Sequence, residues 1–146
     1  MSEARVEYFP PTKPWREQEG RVRLIGMRCA GCGTAAFPAR EVCSGCGRDD
    51  ALSEIELAGE GTLYSFSEVH AAPKGFATPY VIGYVDLIEG VRVLAQIDSA
   101  QVESAQVDSN AADLRIGQNL VARLGPVRKR ADGTEVISYR FTGAAT

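Results

Sequence analysis

The 146-residue sequence is short of the groups that most often carry chemistry, with one histidine, one tryptophan and two methionines. It has no P-loop, no G-x-S-x-G and no H-E-x-x-H pattern. No apolar run approaches the roughly 20 residues needed to span a bilayer, which argues against a membrane protein. The opening Met1-Ser2-Glu3-Ala4-Arg5-Val6-Glu7-Tyr8 lacks an apolar signal core, so the expected address is the cytoplasm. A basic excess is missing too. Sixteen Lys and Arg face 19 Asp and Glu, for a net charge of −3, which argues against a chain dedicated to nucleic acid. The remaining composition, 45% hydrophobic and 24% charged, is that of a globular chain with a core.

What is present is four cysteines. In a reducing compartment these read as metal ligands or catalytic groups before they read as disulfides. Cys29-Ala30-Gly31-Cys32-Gly33 and Cys43-Ser44-Gly45-Cys46-Gly47 are two copies of one device, C-x2-C, with ten residues between the copies. Two intervening residues let both thiolates of a turn face one point, and the glycine that follows permits a positive φ. Two facing knuckles predict a closed tetrahedral site of Cys29, Cys32, Cys43 and Cys46. Structural zinc is the expected ion. A rubredoxin-type iron is the alternative and would make the chain an electron carrier. A redox C-x-x-C pair needs a thioredoxin-like βαβ context, which the sequence lacks. The site uses every cysteine, so no thiol nucleophile remains, and a closed site offers no open position for catalysis.

Along the chain the pattern is mainly β. Pro10, Pro11 and Pro14 predict an extended arm, and residues 15–19 predict one helical turn stopped by Gly20. Residues 21–28 read as a strand entering the cysteine region, and 52–58 as a strand leaving it. Strands are expected at 62–70, 80–88, 91–97, 119–124 and 135–142, with Ile137, Tyr139 and Phe141 sharing a face. A polar excursion with a five-residue repeat occupies 98–112, and 125–133 reads as a basic loop ending in an Asp132-Gly133 turn. Five or six strands with short turns fit a small barrel of OB type, which removes sheet edges by closure. The expected division is an arm with a short helix at 1–20, a zinc ribbon at 21–51 and a barrel at 52–146.

His70 falls at a strand end, where it serves as a rim residue or a ligand contact. With no nucleophile motif beside it, a general-base role is disfavoured. Lys74 and Phe76 form a second rim, between Pro73 and Pro79. Arg123, Arg128, Lys129, Arg130 and Arg140 gather around the last hairpin, either as a solvated loop or as an anion site for phosphates. Of these, His70, Lys74, Phe76, Arg128, Lys129 and Arg130 are the candidate ligand contacts. Gly31-Cys32-Gly33-Thr34-Ala35-Ala36 matches G-x-G-x-x-A, but Cys32 is committed to the knuckle and the match is discarded.

Several further segments occur in a fixed order. They are Arg28-Cys29-x-x-Cys32-Gly33, Phe37-Pro38-Ala39-Arg40, Cys43-x-x-Cys46, and Gly59-x-Gly61-Thr62-Leu63-Tyr64-Ser65-Phe66-Ser67. Pro79-Tyr80-Val81-Ile82-Gly83-Tyr84-Val85-Asp86-Leu87 and Leu114-Arg115-Ile116-Gly117 follow. In this order they resemble the acyl-CoA-associated proteins that join a rubredoxin-like zinc ribbon to a C-terminal OB-fold. The resemblance spans nearly the whole chain. It implies a small non-catalytic subunit that docks on a thiolase-type or hydratase-type catalytic subunit and helps form or order its acyl-CoA site. The family includes thiolase subunits of aromatic-acid degradation, among them that of a benzoylsuccinyl-CoA thiolase. It carries Cys29, Cys32, Cys43 and Cys46 over as Zn2+ ligands, and Phe37, Pro38 and Arg40 as the ribbon's packing turn. A CoA thioester becomes the ligand of the complex. The chain departs from the family at Pro14-Trp15, where a phenylalanine-tryptophan pair is commoner, and in the length of 98–112. The competing reading is a single-stranded nucleic-acid module, since OB-folds and zinc ribbons both occur there.

Overall fold

A computed structural model describes residues 5–98 and 114–143. The 98–112 repeat, apart from Asp98, and the tail 144–146 lie outside the described residues. Ten strands and no helix make up the described fold. The first correction falls on the arm. In place of a helical turn, the chain forms β1 (Val6–Tyr8) and β2 (Trp15–Gln18). β2 runs into β3 (Arg21–Cys29) through a two-residue turn, with φ of 53° at Glu19 and 77° at Gly20. Positive φ at both positions is what the hairpin turn matching strand twist requires. Four residues between a proline and such a turn cannot hold a helix, whereas β3 offers them a full ladder, from Trp15↔Leu24 to Gln18↔Arg21.

β3 is the spine of the first sheet. It also pairs with β4 (Ala35–Ala36) and, over six residue pairs, with β5 (Leu52–Leu57). Val22, Leu24, Gly26 and Met27 are buried along β3, and Cys29 closes it.

The second sheet holds β6 (Glu60–Val69), β7 (Tyr80–Leu87), β8 (Arg92–Asp98), β9 (Asn119–Lys129) and β10 (Glu135–Gly143). β1 joins it in parallel on β10. The order is β1-β10-β8-β7-β6-β9, with a further antiparallel pairing of β9 and β10. The sheet therefore curls as an OB-fold does, but it is not sealed into the barrel expected. The β8–β10 seam is two residue pairs and the β6–β9 seam three, so the curl is held by short ladders at both places. β9 runs further than expected. The segment expected to loop from 125 stays paired with β10 as far as Lys129, and Pro126 sits opposite Ile137 where the register shifts. A bulge is where a strand tolerates a proline.

One hydrophobic core spans both sheets. Leu24 and Leu57 from the first meet Leu63, Val81, Val85, Ile97, Leu120 and Phe141 from the second, all at most 1% exposed. Each such side chain contributes about 1.5–3 kcal/mol by leaving water. Tyr139 extends this core to the ribbon, edge-on to Phe37 at 5.3 Å and to Trp15 at 6.5 Å between ring centroids.

Candidate functional site

The four cysteine sulfurs converge. All lie within 4.8 Å of one another, with Cys29–Cys46 at 3.7 Å and Cys32–Cys43 at 3.5 Å. A disulfide would need about 2.05 Å, and the four are free thiols. Zn–S bonds of about 2.3 Å at the corners of a tetrahedron place sulfurs about 3.8 Å apart. The spacing therefore fits a four-thiolate ion such as zinc. Cys29 and Cys43 are buried, whereas Cys32 and Cys46 face solvent.

The two knuckles are built alike. The Gly33 amide donates to the Cys29 carbonyl at 2.7 Å and the Gly47 amide to the Cys43 carbonyl at 2.9 Å. Both glycines hold positive φ, 82° and 79°. Each knuckle also braces the other. A Cβ on Gly31 would meet Arg48 Cδ at 2.9 Å, and a Cβ on Gly45 would meet Thr34 Oγ1 at 2.3 Å. Thr34 and Arg48 hold the equivalent place, directly after the closing glycine of each knuckle. Each reaches over the middle glycine opposite.

The thiols differ in acidity. The Thr34 hydroxyl, 3.1 Å from Cys32 Sγ, is the main cause holding that thiol down to about 6, helped by the Thr34 backbone and by Cys43. The Cys46 backbone amide lowers Cys43. At Cys46 the Arg48 backbone amide pulls downward, but burial and the three neighbouring sulfurs outweigh it and push the thiol up to about 11. A divalent cation removes this competition by letting all four sulfurs ionise together.

The candidate ligand residues are partly brought together. The 71–79 loop docks on β9, with the Lys129 amide donating to the Gly75 carbonyl at 2.8 Å. Phe76 stacks on Tyr80 at 5.7 Å, and the Arg128 guanidinium covers the Phe76 ring at 5.3 Å. Phe76 and Arg128 thus hold each other. Arg130 is tied to the arm, its Nε donating to Glu7 at 2.6 Å and its Nη2 at 2.8 Å. That pairing holds the Glu7 carboxyl below the usual carboxylate range. Lys74 and Lys129 remain exposed. His70 is exposed as well, with Nε2 3.5 Å from Glu68.

One buried network escaped the sequence reading. Asp98 is fully buried and takes two hydrogen bonds on Oδ1 from Arg140, itself 4% exposed. Arg140 also donates to Gln96 at 2.8 Å and to the Pro126 carbonyl. Arg123 Nε lies 3.4 Å from the other Asp98 oxygen. Two cations of the supposed anion site are therefore turned inward to share the one buried carboxylate of Asp98. Asp98 continues the polar positions of β8, and nothing in that alternation signals a partner on another strand.

A four-thiolate ribbon packed on a curled five-strand OB sheet defines a class of two-part zinc-ribbon proteins. Two family descriptions match in sequence order: "ChsH2, rubredoxin-like zinc ribbon domain" over residues 17–53 and "ChsH2, C-terminal OB-fold domain" over 54–124. A DUF35 domain-containing scaffold protein of Methanocaldococcus jannaschii is 39% identical over 132 residues, 88% of this chain and 87% of that protein. The benzoylsuccinyl-CoA thiolase subunit BbsA of Geobacter metallireducens is 36% identical, over 81% of this chain and 73% of that one. Among solved structures, the Ltp2-ChsH2(DUF35) aldolase matches with a TM-score of 0.62 and 28% identity, covering 84% of this chain and 86% of that one. The chain belongs to the DUF35 family of ChsH2-type zinc-ribbon and OB-fold proteins.

Proposed function

We propose that this chain is a non-catalytic accessory subunit of an acyl-CoA-processing enzyme of thiolase type. It docks on the catalytic subunit and helps form or order the acyl-CoA site. The observation that carries this reading is the whole-chain likeness to a scaffold protein and to a thiolase subunit, together with a four-sulfur cluster, spaced to hold a metal ion, that takes up every cysteine. Zinc is the structural ion, held by Cys29, Cys32, Cys43 and Cys46. No helix among the described residues is long and apolar enough to cross a membrane, and reduced thiols suit a cytoplasmic address.

A CoA thioester is the ligand of the complex. Lys74 and Lys129 stand at the exposed corner where the 71–79 loop meets β9 and supply cations for its phosphates, while His70, exposed just before the loop, is a further ligand contact. Phe76 and Arg128 act beneath them by fixing the loop, and Arg130 acts by fixing the arm. Isolation from native extract at mild salt tests the reading. A thiolase-like catalytic subunit is expected to accompany the chain in stoichiometric amount. Recovery of the chain as a lone monomer overturns it. Lys74→Ala with Lys129→Ala is expected to raise KM for the acyl-CoA substrate several-fold in the assembled complex while leaving assembly intact. An unchanged KM removes the phosphate contacts and leaves the accessory role standing.

A further inference from the structure

We propose that the metal centre is a redox-modification site that oxidants open at Cys46, and that the first disulfide formed is Cys29–Cys46. This rests on the zinc reading of the four-cysteine cluster. Only Cys32 and Cys46 face solvent, so a small oxidant such as hydrogen peroxide meets one of these two first. The knuckles are alike in backbone but not in what guards these sulfurs. The Thr34 hydroxyl stands 3.1 Å from Cys32 Sγ. Arg48, at the equivalent place after the second knuckle, instead runs across Gly31 and donates from Nε to Asp50 at 3.1 Å. Cys46 takes the Arg48 backbone amide as Cys32 takes that of Thr34, but among the described residues no side-chain hydroxyl is found on Cys46. A hydrogen bond to a thiolate draws off the electron density that attacks an electrophile. Cys32 is therefore guarded by one hydrogen bond more than Cys46.

The resolving sulfur is also in place. Cys29 Sγ lies 3.7 Å from Cys46 Sγ. The Cys46 sulfur attacks one peroxide oxygen, the O–O bond breaks, and hydroxide leaves a sulfenic acid behind. The Cys29 thiolate then attacks that sulfur, the S–O bond breaks, and a second hydroxide leaves. Two electrons from two sulfurs reduce one peroxide, and the ion is left with Cys32 and Cys43 alone. Because Cys29 ends β3, the spine of the ribbon sheet, its removal from the ion loosens the ribbon where it meets the shared core.

The full chain, with its zinc content measured first, is titrated with hydrogen peroxide below one equivalent. Zinc release is followed with a chromogenic chelator, and disulfides are mapped by mass spectrometry after alkylation. The expected result is one zinc released per disulfide, with Cys29–Cys46 in several-fold excess over Cys32–Cys43. Thr34→Val, which keeps the packing over Gly45 but removes the hydroxyl, is expected to bring the two disulfides to comparable yield. Thr34→Ser is expected to restore the original ratio. A first disulfide at Cys32–Cys43 in the unmodified chain, or a ratio that Thr34→Val leaves unchanged, overturns the inference while the zinc reading stands. A chain isolated without zinc overturns both.

Discussion

At the scale of single residues, the two knuckles respond unequally to the same change. Gly31 and Gly45 hold equivalent places, but a Cβ on Gly31 meets the movable Arg48 side chain, whereas one on Gly45 meets Thr34 Oγ1 at 2.3 Å and Cys32 Sγ at 3.3 Å. Gly45→Ala is expected to cost about 1–3 kcal/mol, the usual range for overpacking, and to weaken zinc retention in a chelator competition. Gly31→Ala is expected to cost less, since Arg48 can swing outward. The double variant Gly45→Ala with Thr34→Ala is expected to recover much of the loss, read as a coupling energy in a double-mutant cycle. This part of the site was legible in the sequence, because two residues between cysteines fix a turn without help from the rest of the fold. The bracing was not, because Thr34 and Arg48 meet glycines on the opposite knuckle.

At the scale of elements, long-range pairing decided what local pattern left open. Residues 15–19 carry no period strong enough to choose between a turn of helix and a short strand, and β3 chooses for them. Gly125 and Pro126 read locally as a loop, yet the β10 bulge accepts them as strand. The buried Asp98–Arg140 pair lay equally out of reach, since its members stand 42 residues apart. Its place explains its worth, because it sits beside the two-residue seam between β8 and β10. Asp98→Asn leaves the Arg140 charge buried without its counter-ion and is expected to cost about 3–5 kcal/mol, measured by urea unfolding. The arm–hairpin tie behaves differently. Glu7 is held below the usual carboxylate range by Arg130, so its contribution is present above the unfolded value and disappears as pH falls through the folded one. Below about pH 4 the Phe9 amide, which donates to the Ile137 carbonyl at 2.9 Å, is expected to lose protection against exchange relative to its intrinsic rate at that pH. Glu7→Gln is expected to bring the same loss of protection at neutral pH.

At the scale of the whole molecule, the ribbon and the OB sheet are joined by more than their linker. Trp15, Phe37 and Tyr139 carry one core across the boundary. Removing zinc with a strong chelator is therefore expected to change the near-ultraviolet signal of Trp15 and to lower the melting temperature of both parts in one transition. Tyr139→Ala is expected to split that transition into two. The zinc ribbon and the OB-fold were visible from cysteine spacing and strand count, but the pairing of residues 6–18 was not. β1 belongs to the OB sheet and β2 to the ribbon, a split that no local pattern announces. It also orders events in time. A ribosome delivers Val6–Tyr8 long before Glu135, Val136 and Ile137, the residues that pair with them, and contacts this distant in sequence form late. The arm must wait for the last strand, so a nascent chain has its knuckles ready to take a metal while its opening segment is still unclaimed. A catalytic subunit that recognises the fastened arm would thereby accept only chains whose synthesis has run through β10.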